Sequence, residues 1–273
     1  MQKTSIEWVR NPDGSQGYTF NPITGCLNNC PYCYARKLAN GRLKQRYLAN
    51  HNVADTSQRL RDPNSSLWDR VVTDPFYPRF WPERLKKPYN PIMPVGIFVC
   101  NMGELFGDWI PQNWQEQIFE VIKGRPQHRF YLLTKQPQNL VKFSPFPDNC
   151  WVGVTATGLQ MFNKAMFNLQ QIEAEVKYIS LEPLLEEIPM SSSWLTLLGQ
   201  PIIQWVIIGA QTKPTIYPKI EWVQEIVEVA DKAGISVFLK DNLGNLLFVK
   251  ERLAFRTFDD RFMLEKLRQE FPK

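Results

Sequence analysis

Cys26, Cys30 and Cys33 stand in the run Cys26-Leu-Asn-Asn-Cys30-Pro-Tyr-Cys33 and account for three of the chain's five cysteines. Thiolates spaced C-x3-C-x2-C on a short irregular loop can all turn inward on one inorganic centre. Three of them leave a four-site metal ion or cluster one ligand short, and that open position is where chemistry can happen. Cys100 lies inside the apolar run Gly96-Ile-Phe-Val-Cys100, and Cys150 just precedes another. Both are expected to pack as small buried hydrophobes. His51 and His128 are the only histidines. Neither is expected to bind metal, which argues against zinc-hydrolase or histidine acid–base chemistry.

The elements that must position these thiols emerge from the apolar pattern. Short β-branched or aromatic runs alternate with segments of helical spacing. Strands are predicted at 18–20, 95–100, 130–133, 151–154, 177–179, 206–208 and 236–239. Helices are predicted at 34–49, 112–123, 139–143, 161–172, 221–233 and 261–271. This alternation is the signature of an α/β fold: a parallel sheet covered by helices, either open and doubly wound or closed as a partial or full (β/α) barrel of six to eight strands. The 273 residues suffice for one such domain, and 1–273 is read as a single domain. Two segments interrupt the rhythm. Residues 50–94 are rich in proline, arginine and aromatics, which forbids a central strand or a long helix and leaves room for a short helix at 82–87. A second insertion is expected at 186–201.

Active sites of parallel α/β folds lie at the carboxyl ends of the strands. The residues that follow each predicted strand are therefore the candidates. They include Asn21 and the cysteine loop, Asn101 to Glu104, Thr134 and Lys135, Thr155 and Thr157, Ser180 and Glu182, Gly209 and Gln211, and Lys240 and Asp241. Glu182 precedes a proline, which holds its backbone extended. Lys135 and Lys240 follow runs that should be buried, so each is read either as a site residue or as a snorkelling side chain paired with Glu104 or Glu182. Two lysines and two carboxylates on one rim point to a charged substrate or cofactor. The net charge of +5 permits an anionic partner, a nucleotide or nucleic acid among them, without the dense basic patch that would argue for nucleic acid alone. The basic run Arg36, Lys37, Arg42, Lys44 and Arg46 is read as a solvated helix face.

The cysteine loop, with Tyr32 immediately before its third cysteine and a strand ahead of it, resembles that of the radical S-adenosylmethionine superfamily. The resemblance implies that Cys26, Cys30 and Cys33 bind three irons of a [4Fe–4S] cluster whose fourth iron is chelated by S-adenosyl-L-methionine. It implies reductive cleavage of that cofactor to a 5′-deoxyadenosyl radical that abstracts hydrogen from a substrate. It also places Tyr32 beside the adenine. The segment Asn101-Met102-Gly103-Glu104 is similar to the superfamily's Gly-Gly-Glu, with Met102 in place of the first glycine, and this makes Glu104 the acceptor for the cofactor's ammonium. Asn101, Gly103 and Thr155 complete the expected cofactor contacts, and Lys135, Glu182 and Lys240 are the expected catalytic residues. A reductant protein of flavodoxin or ferredoxin type is implied as electron donor.

More of the chain resembles a narrower phage and bacterial family of radical-SAM-like proteins named after phage gene products. The matching segments are Thr4-Ser-Ile-Glu-Trp8, Phe20-Asn-Pro-Ile-Thr-Gly-Cys26, Cys33-Tyr-Ala35, Met102-Gly-Glu-Leu-Phe106, Leu133-Thr-Lys135, Trp151-Val-Gly-Val-Thr155, Ser180-Leu-Glu-Pro-Leu-Leu185, Val206-Ile-Ile-Gly209 and Phe238-Leu-Lys240. Many members space the first two cysteines more widely, and the family name brings no substrate with it. The competing expectation is a nucleic-acid-binding protein in which Cys26, Cys30 and Cys33, with Cys100 or Cys150, close a structural zinc site. Such sites usually pair their ligands, and no second pair is present. No run reaches the roughly 18 apolar residues of a membrane span. The N-terminus also lacks an apolar signal core. A cytoplasmic location, where thiols stay reduced, is therefore expected.

Overall fold

The computed structural model describes residues 2–54, 71, 73–86, 93–190, 196–197, 200–244 and 267–272. The chain divides into two compact units, one of residues 1–5 and 9–150 and the other of 6–8 and 151–273. Both are α/β, with strands that run mostly parallel. Among the described residues no helix is long and apolar enough to cross a membrane.

The strands of the first unit are β1 (Gln2–Lys3), β2 (Tyr18–Phe20), β3 (Ile23–Thr24), β4 (Arg79–Phe80), β5 (Gly96–Val99) and β6 (Arg129–Thr134). The sheet order is β1-β2-β5-β6, antiparallel only at β1. Phe20 pairs with Val99 and Phe98 with Tyr131, so the exits of β2, β5 and β6 fall at one end of this sheet. Buried Ile97, Val99, Phe130 and Leu132 explain why these runs read as continuously apolar. The helices are α1 (Tyr34–Asn40), α2 (Lys44–Leu48), α3 (Pro82–Leu85) and α4 (Gln112–Lys123), with a 3-10 turn over Pro137–Phe143. Helix α4 buries Trp114, Ile118, Phe119 and Ile122, the stripe expected of a period near 3.6.

The strands of the second unit are β7 (Cys150–Thr155), β8 (Val176–Leu181), β9 (Thr196–Leu197), β10 (Gln200–Pro201), β11 (Trp205–Ile208) and β12 (Ser236–Leu239). The order β7-β8-β11-β12 is parallel throughout. Helices α5 (Leu159–Leu169) and α6 (Ile220–Lys232) follow β7 and β11. Trp205 is fully buried. Around it stand Trp8 at 6.2 Å, Trp151 at 5.7 Å, Tyr178 at 5.5 Å, Phe238 at 6.0 Å and Phe271 at 5.1 Å between ring centroids. Four of these five contacts are edge-on or tilted with strongly inclined planes, the geometry that the aromatic quadrupole favours.

Two expectations fail where side chains or breakers override the local pattern. The helix expected over 34–49 breaks into α1 and α2 at Gly41, whose N–H closes α1 onto the Lys37 carbonyl. The helix expected over 261–271 is absent from residues 267–271, where Gln269 instead bridges Phe238. The rest of that expectation lies outside the described residues. Within 50–94, the described part holds β4, paired with β3, and the short α3 close to its expected place.

Candidate functional site

The cysteine loop leaves β3 through Gly25, which has φ of 88°. Its N–H donates to the Met102 carbonyl at 2.9 Å, and Gly25 bridges Gly103. A Cβ on Gly25 would sit 2.4 Å from the Tyr77 carbonyl oxygen, and one on Gly103 would sit 3.0 Å from the Gly25 carbonyl oxygen. Glycine is required at position 25, and at position 103 any Cβ would press on the facing main chain, so the two glycines let the root of the loop and the exit of β5 lie backbone against backbone. Beyond the root, the Cys26 N–H donates to the Phe76 carbonyl at 3.0 Å, and Asn29 takes φ of 53° to turn the chain. Cys33 then caps α1, its sulfur accepting from the Arg36 N–H at 3.3 Å.

The three thiols are free and partly buried. Cys26 and Cys33 pack on a cluster of Ala35, Ala39, Tyr47, Phe76, Trp81 and Met102. Phe76 and Trp81 thus bring the aromatic 50–94 segment against the sulfurs. Arg36 reinforces this seam: it donates to the Cys26 carbonyl at 3.2 Å, pairs with Asp74 at 3.2 Å and lies 5.0 Å over the Phe76 ring. Burial pushes the Cys26 thiol up to about 12, with the Glu104 charge and the neighbouring Cys30 and Cys33 adding to the rise. A bound cation would reverse that balance by displacing the proton. Among the described residues no group of three or more His, Cys, Asp or Glu side chains is drawn together around a single-ion position. Cys100 and Cys150 are buried, and burial pushes both thiols to about 12.

Beside the loop, Glu104 is only 4% exposed. It accepts from the Thr134 hydroxyl at 2.7 Å, the Phe106 N–H at 3.0 Å, the Lys135 N–H at 3.1 Å and the Asn28 side chain at 3.3 Å. Burial holds its carboxyl above the usual carboxylate range against these donors. Asn101 accepts from the Asn21 side chain at 2.7 Å and donates to the Tyr34 hydroxyl at 3.1 Å, so it too is tied into the strand ends. The Lys135 ammonium lies 5.8 Å over the Tyr32 ring. The first unit therefore gathers Cys26, Cys30, Cys33, Tyr32, Asn101, Gly103, Glu104 and Lys135 at one end of its sheet.

The remaining predicted residues fall in the second unit. Thr155 is buried at the end of β7. Glu182 follows β8 and Lys240 follows β12, on either side of β11, whose exit is Gly209. A Cβ there would meet Lys240 Cδ at 3.0 Å and Glu182 Cγ at 3.2 Å, so the glycine opens the space in which the two side chains meet. The Lys240 ammonium donates to Glu182 and lies 3.8 Å from Glu7. Glu7 in turn accepts from the Asp241 N–H at 2.6 Å. The Lys240–Glu182 pairing weighed from the sequence is present, and Glu7 joins it. Glu7, Asn28 and Gln136 are functional neighbours that the strand-exit pattern does not single out. Asn28 had a signal, its place between two candidate ligands; Gln136 had none. His128 accepts from the Val95 N–H at 3.3 Å, a structural bond between the residues that precede β5 and β6.

No curated protein and no solved structure matches the chain. The profile of one family, described as a protein of unknown function (DUF5131), matches residues 3–264. That span takes in the cysteine loop, Glu104, Lys135, Glu182 and Lys240, and the chain belongs to this family.

Proposed function

We propose that this chain is a radical S-adenosylmethionine enzyme. The observation that carries the reading is the cysteine loop itself: three free thiols on one glycine-rooted loop, at a strand exit, beside the buried carboxylate of Glu104. Its donor set fits an iron–sulfur cluster in chemical type, since all three donors are thiols and two of the sulfurs already accept backbone N–H bonds, Cys26 from Asn28 and Cys33 from Arg36. Cys26, Cys30 and Cys33 would hold the cluster. When bound, a [4Fe–4S] cluster and S-adenosyl-L-methionine supply reductive cleavage to a 5′-deoxyadenosyl radical that removes hydrogen from the substrate.

The chain's own residues bind, orient and exclude water. Phe76, Trp81 and Met102 cover one side of Cys26 and Cys33, which would help shield a redox centre and its reactive products from water. Tyr32 offers a ring for the adenine, and Asn101 and Gly103 offer polar contacts to the rest of the cofactor; Glu104, whose oxygens already accept from Thr134, Phe106, Lys135 and Asn28, would act on the cofactor's ammonium through its charge. Lys135 carries no carboxylate partner within salt-bridge range among the described residues, which suits it to an anionic substrate group, a nucleotide phosphate for instance. In the second unit, Lys240 and Glu182 share a proton donor and acceptor at one point, with Glu7 close by. The fold that accompanies this reading is a full or partial (β/α) barrel, the electron donor a flavodoxin- or ferredoxin-type protein, and the setting the cytoplasm.

The test is anaerobic reconstitution followed by iron, sulfide and zinc analysis and EPR spectra with and without S-adenosylmethionine. About four irons per chain, a reduced signal perturbed by the cofactor and release of 5′-deoxyadenosine are expected. Stoichiometric zinc with no iron would overturn the reading in favour of a structural zinc site.

A further inference from the structure

Two chains of directed hydrogen bonds converge on Glu104. In one, the Gln138 side chain donates to Gln136 Oε1 at 2.6 Å, Gln136 Nε2 donates to Asn28 Oδ1 at 2.5 Å, and Asn28 Nδ2 donates to Glu104 Oε2 at 3.3 Å. In the other, the Gln136 N–H donates to the Thr134 hydroxyl at 2.8 Å, which commits that hydroxyl's proton to Glu104 Oε1 at 2.7 Å. With the Phe106 and Lys135 N–H groups, all of the roughly four acceptor positions of a carboxylate are filled. The donors come from three places: the cysteine loop (Asn28), the exit of β6 (Thr134 to Gln136) and the stretch after β5 (Phe106). Asn28 lies midway between Cys26 and Cys30, where the loop has no secondary structure to hold it. The anchors at its ends are Gly25 to Met102, Cys26 to Phe76 and Arg36 to the Cys26 carbonyl.

We propose that Asn28, Thr134 and Gln136 are positioning residues: assembled around Glu104, they form a latch that holds the middle of the cysteine loop in its ligand-binding shape before any metal or cluster arrives. A loop already ordered gives up less conformational entropy on binding than one that must be ordered by the ligand. The latch also fixes which way the Asn28 amide faces: its donor end is committed to Glu104 and its acceptor end to Gln136, which tethers the loop at this residue to the strand exits. The latch belongs to the chain and not to the occupant, so it stands apart from the cluster reading.

The experiment uses the full chain, reduced and metal-free. Rates of iodoacetamide labelling at Cys26, Cys30 and Cys33 and amide hydrogen exchange over residues 26–33 are followed by mass spectrometry. Asn28→Ala and Thr134→Val are expected to speed both by about tenfold, the scale of a lost buried hydrogen bond. Thr134→Ser keeps the hydroxyl and is expected to behave as the parent. Gln136→Ala, at a half-buried position like Asn28, serves as a milder probe should the change at buried Thr134 impair folding, and is expected to give a smaller rise of the same kind. Parent-like rates in Asn28→Ala and Gln136→Ala would overturn the latch. The same variants are then reconstituted anaerobically, and reduced iron occupancy with an altered EPR line shape is expected in Asn28→Ala but not in Thr134→Ser. Loosened loops in a protein that takes up no iron support the latch and sink the cluster reading. Full iron uptake with unchanged loop rates sinks the latch and leaves the cluster reading intact.

Discussion

The five cysteines separate by environment. Burial raises the thiols of Cys100 and Cys150 to about 12, as it does that of Cys26, but Cys100 and Cys150 are buried among apolar neighbours whereas the three loop cysteines keep part of their surface open to reagent. Native metal-free protein treated with iodoacetamide at pH 8 should label within the 26–33 loop and leave Cys100 and Cys150 unmodified until the chain unfolds. Early label at either buried position by peptide mass spectrometry would contradict this packing. His128 carries the opposite kind of shift. Burial holds its pKa below the ordinary 6.5, with Arg125 adding to the depression. The folded chain therefore refuses a proton that the unfolded chain accepts. Stability from this residue is fully present above about pH 6.5 and declines as pH falls below it. His128→Asn, which can still accept from the Val95 N–H, should lose less stability between pH 7 and pH 5 than the parent. Urea midpoints at the two pH values measure the difference, and parallel losses would show that the imidazole is not the source.

At the scale of elements, the joint between the loop root and the β5 exit is the tightest constraint near the thiols. Gly25 needs both a left-handed backbone and empty space against the Tyr77 carbonyl. Gly25→Ala should destabilise the protein by about 1–3 kcal/mol and lower iron uptake on reconstitution. A parent-like urea midpoint together with full iron content would count against the joint. The strands and α4 were legible because β-branched runs and a 3.6-residue stripe report burial directly. The break between α1 and α2 was missed: Asn40-Gly41 carries its signal, but the helical spacing on both sides masked it. The β3–β4 pair was not legible, because two-residue strands carry no period. Nor was the tie between Asn28 and Gln136, which are 108 residues apart in the chain; local spacing cannot report a bond between two ordinary amides so distant in sequence.

Across the whole molecule, the chain visits the second unit early. Residues 6–8 belong there although residues on both sides belong to the first. Trp8 and Glu7 thereby enter an aromatic core and a charged cluster built from residues after 150. Trp8→Ala should cost about 3–5 kcal/mol, the range for deleting a large buried aromatic. Urea denaturation measures it, and a loss below about 1 kcal/mol would show that the cluster closes without that ring. The alternating pattern revealed the α/β class and the polar strand exits. It could not reveal that an eight-residue N-terminal stretch, polar at its start, supplies a partner for Lys240, since nothing local to Glu7 distinguishes it from a solvated acid.

The backbone joint at Gly25 and Gly103 has a consequence for how such a chain can change over generations. Its grip passes through main-chain atoms, so the identities of residues 27–32 are not what fixes the root of the loop. Drift can rewrite the apex, alter its length between the sulfurs and so change the group it grasps, while the two glycines hold the insertion point in register with the sheet. The site is in this sense a socket with an exchangeable tip, and transplanting a differently spaced cysteine loop between Gly25 and Tyr34 should leave the host fold standing.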